Sequence, residues 1–252
     1  MQLIIDIGNT RTKYGQFDAR TLLAHGTLPP DNPRESLREL LHNRPPDAIL
    51  LSRSGQTHDW IEAELTALGQ SWKLLGQSLR LPFVNHYATP HTLGTDRMAL
   101  AAAAVAEFSG TPCLVVDAGT CLTFDGVDAE GHYWGGSIHP GLRMRLEAMH
   151  HFTDRLPLES LPDNWGTENA IPNVRGLSTR DCLLIGSVHG MAAEIDGMVE
   201  LYKVESPDLK VVLTGGDAPR LDGLLKTPTF ARPEFQLHGL NSILLFNSLA
   251  PL

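Results

Sequence analysis

The segment DIGNTRTKYGQFD, residues 6–18, decides the fold of this chain, because it recurs as DAGTCLTFDGVD at residues 117–128. Each copy follows an apolar, β-branched strand and continues through a glycine-bearing turn into a second extended run. A repeated strand-turn-strand unit of this kind indicates internal duplication. We therefore predict two related domains, residues 1–111 and residues 112–252.

Strand and helix patterns alternate along the rest of the chain. An opening meander is followed by leucine-bearing helices that alternate with short buried strands, and an alanine-rich helix covers residues 96–108. The second half adds a hairpin, a long helix from Thr179 to about Tyr202, a buried strand over 210–213 and a last helix between Gly239 and Leu249. This alternation predicts an α/β fold.

Composition excludes several classes of protein. The 252 residues carry a formal net charge of −9, which disfavours a broad surface for nucleic acid or anionic lipid. No stretch approaches the roughly 20 apolar residues of a membrane span, and the start of the chain lacks a basic region before its apolar run. We expect a cytoplasmic protein whose partners include neither nucleic acid nor a membrane.

The first loop has the chemistry of a phosphate and metal site. Asp6 ends a strand, Gly8 allows close backbone approach, Thr10 supplies a hydroxyl, and Lys13 supplies a positive charge. Asp6 could hold Mg²⁺ directly or through water. The alternative is that the loop is only a hairpin turn. A second such loop at Asp117 favours a phosphate clamp over a turn.

Two further segments combine small residues with a helix start. Residues 214–216, Thr-Gly-Gly, follow a buried strand and could let a flat ring or a ribose lie against the backbone, although many strand-to-helix junctions look alike. Residues 94–97, Gly-Thr-Asp-Arg, would present Asp96 and Arg97 to an acceptor molecule. The alternative there is a helix N-cap, and a cap and a catalyst are compatible at one position.

Other well-known site patterns are absent from the sequence. The eleven histidines include no H-E-x-x-H pair, and there is no G-x-S-x-G elbow, no Walker lysine loop and no G-x-G-x-x-G. Three cysteines without a C-x-x-C pair argue against a disulfide framework. These absences weaken metalloprotease, serine hydrolase, P-loop and dinucleotide-binding interpretations.

Five ordered blocks together resemble the type III pantothenate kinases of the actin, Hsp70 and sugar-kinase superfamily. The blocks are D6-x-G-N-T-x-x-K13, G94-T-D-R97, D117-x-G-T120, G135-G-S-I-H-P-G141 and T214-G-G216. The resemblance implies two duplicated ribonuclease-H-like, actin-like ATPase domains with a cleft between them. It also implies a homodimer that phosphorylates pantothenate with ATP to 4′-phosphopantothenate, the first step of coenzyme A biosynthesis.

The resemblance also implies roles for individual residues. Asp96 would be the catalytic base, Asp117 would bind a monovalent cation, K⁺ or NH₄⁺, and Asp6 would bind Mg²⁺. The residues expected to bind ATP are Asp6, Ile7, Gly8, Asn9, Thr10, Arg11, Thr12, Lys13, Thr120, Gly215 and Gly216. The residues expected to bind pantothenate are Tyr87, Gly94, Thr95, Asp96, Arg97 and Thr179, with His151 as a weaker candidate.

Three alternatives to a pantothenate kinase remain open at this stage. The same fold could phosphorylate another small hydroxylated acceptor, because a fold alone does not fix function. It could also belong to a non-catalytic ATP-binding regulatory protein. A filament-forming, actin-like role is disfavoured, because 252 residues leave no room for inserted subdomains.

Overall fold

The computed structural model describes residues 1–54, 59–76, 78–162 and 174–248. The strands are β1 (Gln2–Ile7), β2 (Thr12–Asp18), β3 (Thr21–Thr27), β4 (Ala48–Arg53), β5 (Trp72–Leu74), β6 (Val84–Asn85), β7 (Cys113–Ala118), β8 (Cys121–Val127), β9 (His132–Pro140), β10 (Lys210–Thr214) and β11 (Phe230–Ala231). The α-helices are α1 (Pro33–Asn43), α2 (Asp59–Ala67), α3 (Thr95–Glu107), α4 (Leu142–His151), α5 (Thr179–Glu205), α6 (Ala218–Leu221) and α7 (Phe235–Ser248).

The chain forms two compact units. Unit 1 consists of Met1–Glu107, Gly131–Tyr133 and Glu234–Leu252, and unit 2 consists of Phe108–Glu130 and Trp134–Pro233. This division resembles the predicted domains 1–111 and 112–252, but residues 108–111 belong to unit 2, and Gly131–Tyr133 and the C-terminal helix α7 belong to unit 1.

Unit 1 contains a five-stranded sheet in the order β3-β2-β1-β4-β5. Strand β1 is apolar on both faces because helices cover both sides of it. Leu3 and Ile5 point to the side of α1 and α2, whereas the intervening Ile4 points to the side of α3 and α7. The predicted opening meander and the alternation of strands with helices are confirmed in this unit.

Unit 2 repeats the strand order of unit 1. The second sheet has six strands in the order β6-β9-β8-β7-β10-β11, and its last five match the order of the first sheet. Strand β7 is antiparallel to β8 and parallel to β10, as β1 is antiparallel to β2 and parallel to β4. Asp6 and Asp117 occupy corresponding places near the ends of β1 and β7. The α/β class and the internal duplication predicted from the two related segments are confirmed by this shared topology.

Helix α7 packs against α3 in unit 1 because both helices carry small residues at the contact. A side chain at Gly239 would place its Cβ 1.8 Å from the carbonyl oxygen of Ala99, so only glycine permits this approach. The helix begins at Phe235, four residues before the predicted start at Gly239. Its pairing with α3 could not be deduced from the local pattern, since α3 lies far away in sequence.

Helix α5 is the long helix predicted from Thr179 onward, and it reaches Glu205. Among the described residues, it is the one helix long and apolar enough to cross a membrane by length and composition. Its buried side chains, among them Leu184, Val188 and Ile195, pack into the core of unit 2. Its apolar character is therefore that of a core helix.

Candidate active site

The first loop lies between β1 and β2 and is closed by the backbone. The antiparallel register pairs Asp6 with Lys13 and Ile7 with Thr12, and the N–H of Gly8 donates to the carbonyl oxygen of Arg11 over 3.1 Å. Ile7 is buried in the core, whereas Asn9, Thr10 and Arg11 form an exposed tip. The exposed backbone and hydroxyl groups at this tip are suited to phosphate oxygens.

Asp6 is a carboxylate held in an unfavourable environment. Its side chain is buried, and desolvation raises its pKa to about 6, with a further increase from the charge of Asp96. A hydrogen bond from Ser52 and the charge of Lys13 act in the opposite direction. Asp6 Oδ1 has no hydrogen-bond partner within the described part of the chain. An unpartnered buried carboxylate oxygen fits a Mg²⁺ ion or its bound water.

Asp96 and its neighbours form the start of α3. Asp96 Oδ1 accepts a hydrogen bond of 2.8 Å from the backbone N–H of Arg97, so the carboxylate is fixed at the helix N-terminus. A Cβ at Gly94 would lie 2.3 Å from that same Oδ1, which explains the glycine two residues before the aspartate. Asp96 is the second residue of α3, so it lies inside the first turn of the helix and not at the N-cap position that was the alternative interpretation of this segment.

Arg97 is positioned by an aromatic side chain. Its guanidinium lies 5.6 Å from the ring centroid of Tyr87, and the side chain is buried. Tyr87 in turn lies 6.2 Å from the fully buried ring of Tyr133. The backbone of β6 pairs with the first two residues of β9, which include Tyr133 and belong to unit 1. Unit 1 thus brings together Asp6, Tyr87, Asp96 and Arg97.

The second loop, in unit 2, is packed closely against a glycine. The N–H of Gly119 donates to the carbonyl oxygen of Cys121 over 2.9 Å, which closes the turn at Thr120. A Cβ at Gly141 would lie 2.3 Å from the carbonyl oxygen of Thr120. The glycine-rich segment at residues 135–141 therefore lets its backbone support the Thr120 loop.

The Thr-Gly-Gly segment touches the same strand end as Asp117. Gly215 has a φ of +96°, and a Cβ there would lie 2.4 Å from Asp117 Oδ1 and equally close to the carbonyl oxygen of Ala118. Gly216, in contrast, faces open space. Within unit 2, Asp117, Thr120, Gly141 and Gly215 are neighbours around one end of the sheet.

Thr179 and His151 lie at the ends of two helices of unit 2. Thr179 is the first residue of α5, and the helix is capped by Ser178, whose side chain accepts a 3.1 Å hydrogen bond from the N–H of Asp181. His151 ends α4 with its ring edge-on to the exposed Phe152. Both predicted residues lie on the surface of unit 2, and no contact of theirs assigns them a role.

Ser52 is a residue of this region that the sequence interpretation did not include. It lies beside Asp6 in the parallel pairing of β4 with β1, and it is completely buried. Its Oγ donates to Thr95 Oγ1 over 3.3 Å, and Thr95 Oγ1 donates to the carbonyl oxygen of Arg53 over 3.0 Å. The signal in the sequence was a polar residue at the end of an otherwise apolar strand.

Comparisons with known proteins agree on both fold and family. The model of the type III pantothenate kinase family matches residues 2–201. A type III pantothenate kinase of Christiangramia forsetii is 39% identical over 251 residues, which cover 98% of this chain and 99% of that protein.

Solved structures with low sequence identity share the fold. The activator of the 2-hydroxyisocaproyl-CoA dehydratase from Clostridium difficile, with bound ADPNP, has a TM-score of 0.51 at 12% identity and covers 98% of this chain and 93% of its own. A ROK family glucokinase from Streptomyces griseus, in complex with glucose and AMPPNP, gives the same TM-score and identity, with 99% of both chains covered. The fold is that of the actin-like ATPases and sugar kinases, and the chain belongs to the type III pantothenate kinase family.

Proposed function

We propose that this enzyme transfers the γ-phosphoryl group of ATP to the hydroxyl of pantothenate with Asp96 as the general base. The observation that carries the proposal is the arrangement in unit 1, where the carboxylate of Asp96 is fixed at the start of α3 beside the buried Arg97. A family member of this kind is a kinase that uses ATP and a divalent metal. The product is 4′-phosphopantothenate, which enters coenzyme A biosynthesis.

The acceptor is positioned by residues 94–97 and by Tyr87. Arg97 would bind the pantothenate carboxylate through its guanidinium, and the tyrosine ring would hold that guanidinium in place. The backbone of Gly94 and Thr95 would supply further polar contacts. The family resemblance also assigns Thr179 to pantothenate binding. These contacts would hold the acceptor hydroxyl beside Asp96.

The reaction itself requires alignment and a proton acceptor. The pantothenate oxygen forms a bond to the γ-phosphorus while the bond to the bridging oxygen of ADP breaks, and the hydroxyl proton passes to the Asp96 carboxylate. Phosphoryl transfer has a loose transition state, so this proton can move late. A positioned carboxylate contributes about 10²–10⁴-fold to such a reaction.

ATP is assigned to the two loops and to the Thr-Gly-Gly segment. Residues 6–13 would bind the phosphates through backbone N–H groups, hydroxyls and Lys13, and Thr120 is assigned to ATP on the family resemblance. Gly215 and Gly216 would accommodate the adenosine. Asp6 would hold Mg²⁺, and Asp117 would hold K⁺ or NH₄⁺. These cations would supply positive charge that offsets the negative charge of the phosphate oxygens. The chain itself is acidic overall and provides positive charge only locally.

The assembly and the location are two further proposals, made on the resemblance to the family. We propose a homodimer in the cytoplasm. Exposed apolar side chains in unit 2, among them Trp134 and Ile138 at 62% exposure each, are the features that a second copy of this chain would cover.

An acceptor panel tests the proposed function. Purified protein is incubated with Mg-ATP and, separately, pantothenate, glucose and N-acetylmannosamine, and the phosphorylated products are measured by mass spectrometry. We expect 4′-phosphopantothenate to form and the sugars to remain unchanged. Phosphorylation of a sugar without phosphorylation of pantothenate would show that the enzyme uses another acceptor. ATP binding without any phosphorylated product would indicate a non-catalytic ATP-binding protein.

A further inference from the structure

Tyr133 lies at the centre of a row of aromatic rings that ends at Arg97. Its ring centroid is 5.8 Å from that of Phe83 and 6.2 Å from that of Tyr87. The guanidinium carbon of Arg97 lies 5.6 Å from the Tyr87 ring centroid. Aromatic pairs attract each other at centroid distances of about 4.5–7 Å, and a guanidinium is attracted to a ring within about 6 Å. The row therefore links a fully buried ring to the side chain assigned to the pantothenate carboxylate.

Tyr87 belongs to a segment that lies largely on the surface of unit 1. Residues 88–92 are exposed, and Tyr87 follows the two-residue strand β6. Its N–H donates to Asn85 Oδ1 over 3.0 Å, and the N–H of His86 donates to the carbonyl oxygen of Tyr133 over 2.9 Å. These bonds fix the backbone of the segment but not the torsion angles of the Tyr87 side chain. The orientation of the Tyr87 ring therefore depends on the buried Tyr133 ring beside it.

Arg97 is a charged side chain whose direction must be set before it can bind an anion well. It is 5% exposed, and its backbone belongs to the first turn of α3. The guanidinium stands at the end of a long, flexible side chain, and ordering such a side chain costs free energy that subtracts from binding. A guanidinium already held over the Tyr87 ring has lost part of this freedom before the ligand arrives. The row of rings is thus placed to preorganise the group that binds the carboxylate.

We propose that Tyr133 is a positioning residue that holds Arg97 through Tyr87 and so sets the preference of the enzyme for acceptors that carry a carboxylate. Tyr133 is inaccessible to solvent, so it acts without touching the acceptor. The carboxylate of pantothenate is remote from the hydroxyl that reacts, and its contact with Arg97 is equally strong before and during phosphoryl transfer. Such uniform binding energy lowers KM and leaves kcat unchanged. This inference rests on the proposed function, in which Arg97 binds that carboxylate.

Steady-state kinetics of the full chain with two acceptors tests this role. Pantothenate carries the carboxylate, and pantothenol has the same reacting hydroxyl with a hydroxymethyl group in place of the carboxylate. In Tyr133→Leu we expect kcat/KM for pantothenate to fall on the order of tenfold through a rise in KM, because the guanidinium is no longer held. For pantothenol, which offers Arg97 no carboxylate, kcat/KM should stay within about twofold of the wild type.

A double-mutant cycle shows whether Tyr133 acts through Arg97. Arg97→Met keeps a long side chain and removes the charge. If the two residues act as one unit, Tyr133→Leu should cost on the order of tenfold in kcat/KM for pantothenate in the wild type, and less than about twofold in the Arg97→Met background. Full additivity of the two losses would overturn the proposal.

Three further variants separate positioning from general packing. Tyr133→Phe keeps the ring and should retain the wild-type KM for pantothenate. Phe17→Leu replaces another fully buried aromatic side chain of unit 1, one that packs edge-on against His238, and it should lower stability without changing KM. Phe83→Leu removes the other ring beside Tyr133 and should give a smaller loss that is confined to pantothenate. This last variant decides the question if Tyr133→Leu does not fold, and the same criteria then apply to it.

The outcomes distinguish this inference from the proposed function. An unchanged KM for pantothenate in Tyr133→Leu, or an equal loss with both acceptors, overturns the role of Tyr133 while the kinase assignment stands. Equal kcat/KM for pantothenate and pantothenol in the wild type overturns carboxylate recognition at Arg97 and with it the inference, and again leaves phosphorylation of pantothenate intact. Absence of turnover with pantothenate in the wild type overturns both the proposed function and the inference.

Discussion

Asp96 is the side chain on which the proposed chemistry depends most directly. Replacing it with asparagine keeps the shape and the hydrogen-bond acceptor for the Arg97 N–H, but removes the carboxylate that takes the proton. We expect Asp96→Asn to lower kcat by about 10²–10⁴-fold, while its thermal stability stays near that of the wild type. Steady-state kinetics with pantothenate as the varied substrate measures this change.

Glu107→Gln is the matched control for that experiment. It neutralises a carboxylate at the exposed C-terminal end of the same helix α3, far along the helix from Asp96. Its kcat should remain within about twofold of the wild type, as expected for a surface substitution away from the site. Near-normal kcat in Asp96→Asn would exclude Asp96 as the general base.

Asp6 makes the stability of the chain depend on pH. Its pKa is about 6 in the fold against 3.8 in the unfolded chain, so the native state binds the proton more tightly, and stability falls as the pH rises through this interval. In the absence of metal and nucleotide, Asp6→Asn should raise the unfolding free energy by about 3 kcal/mol above pH 7. Below about pH 3.5 the unfolding free energies of the wild type and the variant should converge, because the Asp6 side chain is then as neutral as the asparagine that replaces it.

Urea denaturation at a series of pH values measures that difference. The same substitution removes the carboxylate assigned to Mg²⁺, so binding of the Mg-ATP analogue should weaken as stability increases. A gain in stability that stays constant between pH 3.5 and 8 would contradict the raised pKa. A loss of stability at pH 8 would contradict the unfavourable burial of the carboxylate.

For individual residues, the sequence predicts which side chains belong to the site better than it predicts which residues they contact. Asp6, Asp96 and Arg97 could be selected because charged residues followed strand ends or began a helix. The buried state of Arg97 and its packing on Tyr87 could not be predicted, because both depend on β6 lying beside the start of β9. Ser52 was overlooked for a similar reason, since its importance follows from its register with Asp6.

The contact between α3 and α7 determines how unit 1 is built. A Cβ at Gly239 would lie 1.8 Å from the carbonyl oxygen of Ala99, so Gly239→Ala must push the two helices apart. We expect a loss of about 3 kcal/mol in unfolding free energy, measured by urea denaturation. Since α3 carries Asp96 at its first turn, KM for pantothenate should rise as well.

Gly197→Ala in α5 provides the comparison. A Cβ there meets no heavy atom within 4 Å, and alanine is favoured over glycine within a helix. The unfolding free energy should increase by about 0.5–1 kcal/mol. Similar effects of the two substitutions would show that the close approach at Gly239 does not constrain unit 1.

The elements themselves were largely predictable, and their assignment to units was not. The paired turns after β1 and β7 predicted the duplication, and five strands follow the same order in both sheets, with β6 added at one edge of the second. Local patterns also predicted α3, α5 and most of α7. They could not predict that α7 belongs to unit 1, because that depends on a contact with a helix more than a hundred residues earlier.

The assembly of the whole molecule is tested at its exposed apolar surface. Trp134 and Ile138 lie four residues apart on the same face of β9, and both are more than half exposed. Ile138→Asp places a charge where a second copy would exclude water, so we expect the proposed dimer to become a monomer. Size-exclusion chromatography with light scattering measures the mass, and Leu23→Asp, at an exposed position of β3 in unit 1, should leave the dimer intact.

A wild-type monomer at micromolar concentration would contradict the homodimer, and a dimer that survives Ile138→Asp would place the interface elsewhere. Neither result bears on the phosphoryl-transfer chemistry, which is tested separately.

ADP release by the purified protein with Mg-ATP tests most directly whether the molecule is a pantothenate kinase. The assay is run with and without pantothenate, and with K⁺ or Na⁺ at matched ionic strength. We expect ADP release that requires pantothenate, matches 4′-phosphopantothenate formation one to one and is faster in K⁺ than in Na⁺. ADP release that is indifferent to pantothenate, or no release in either salt, would contradict it.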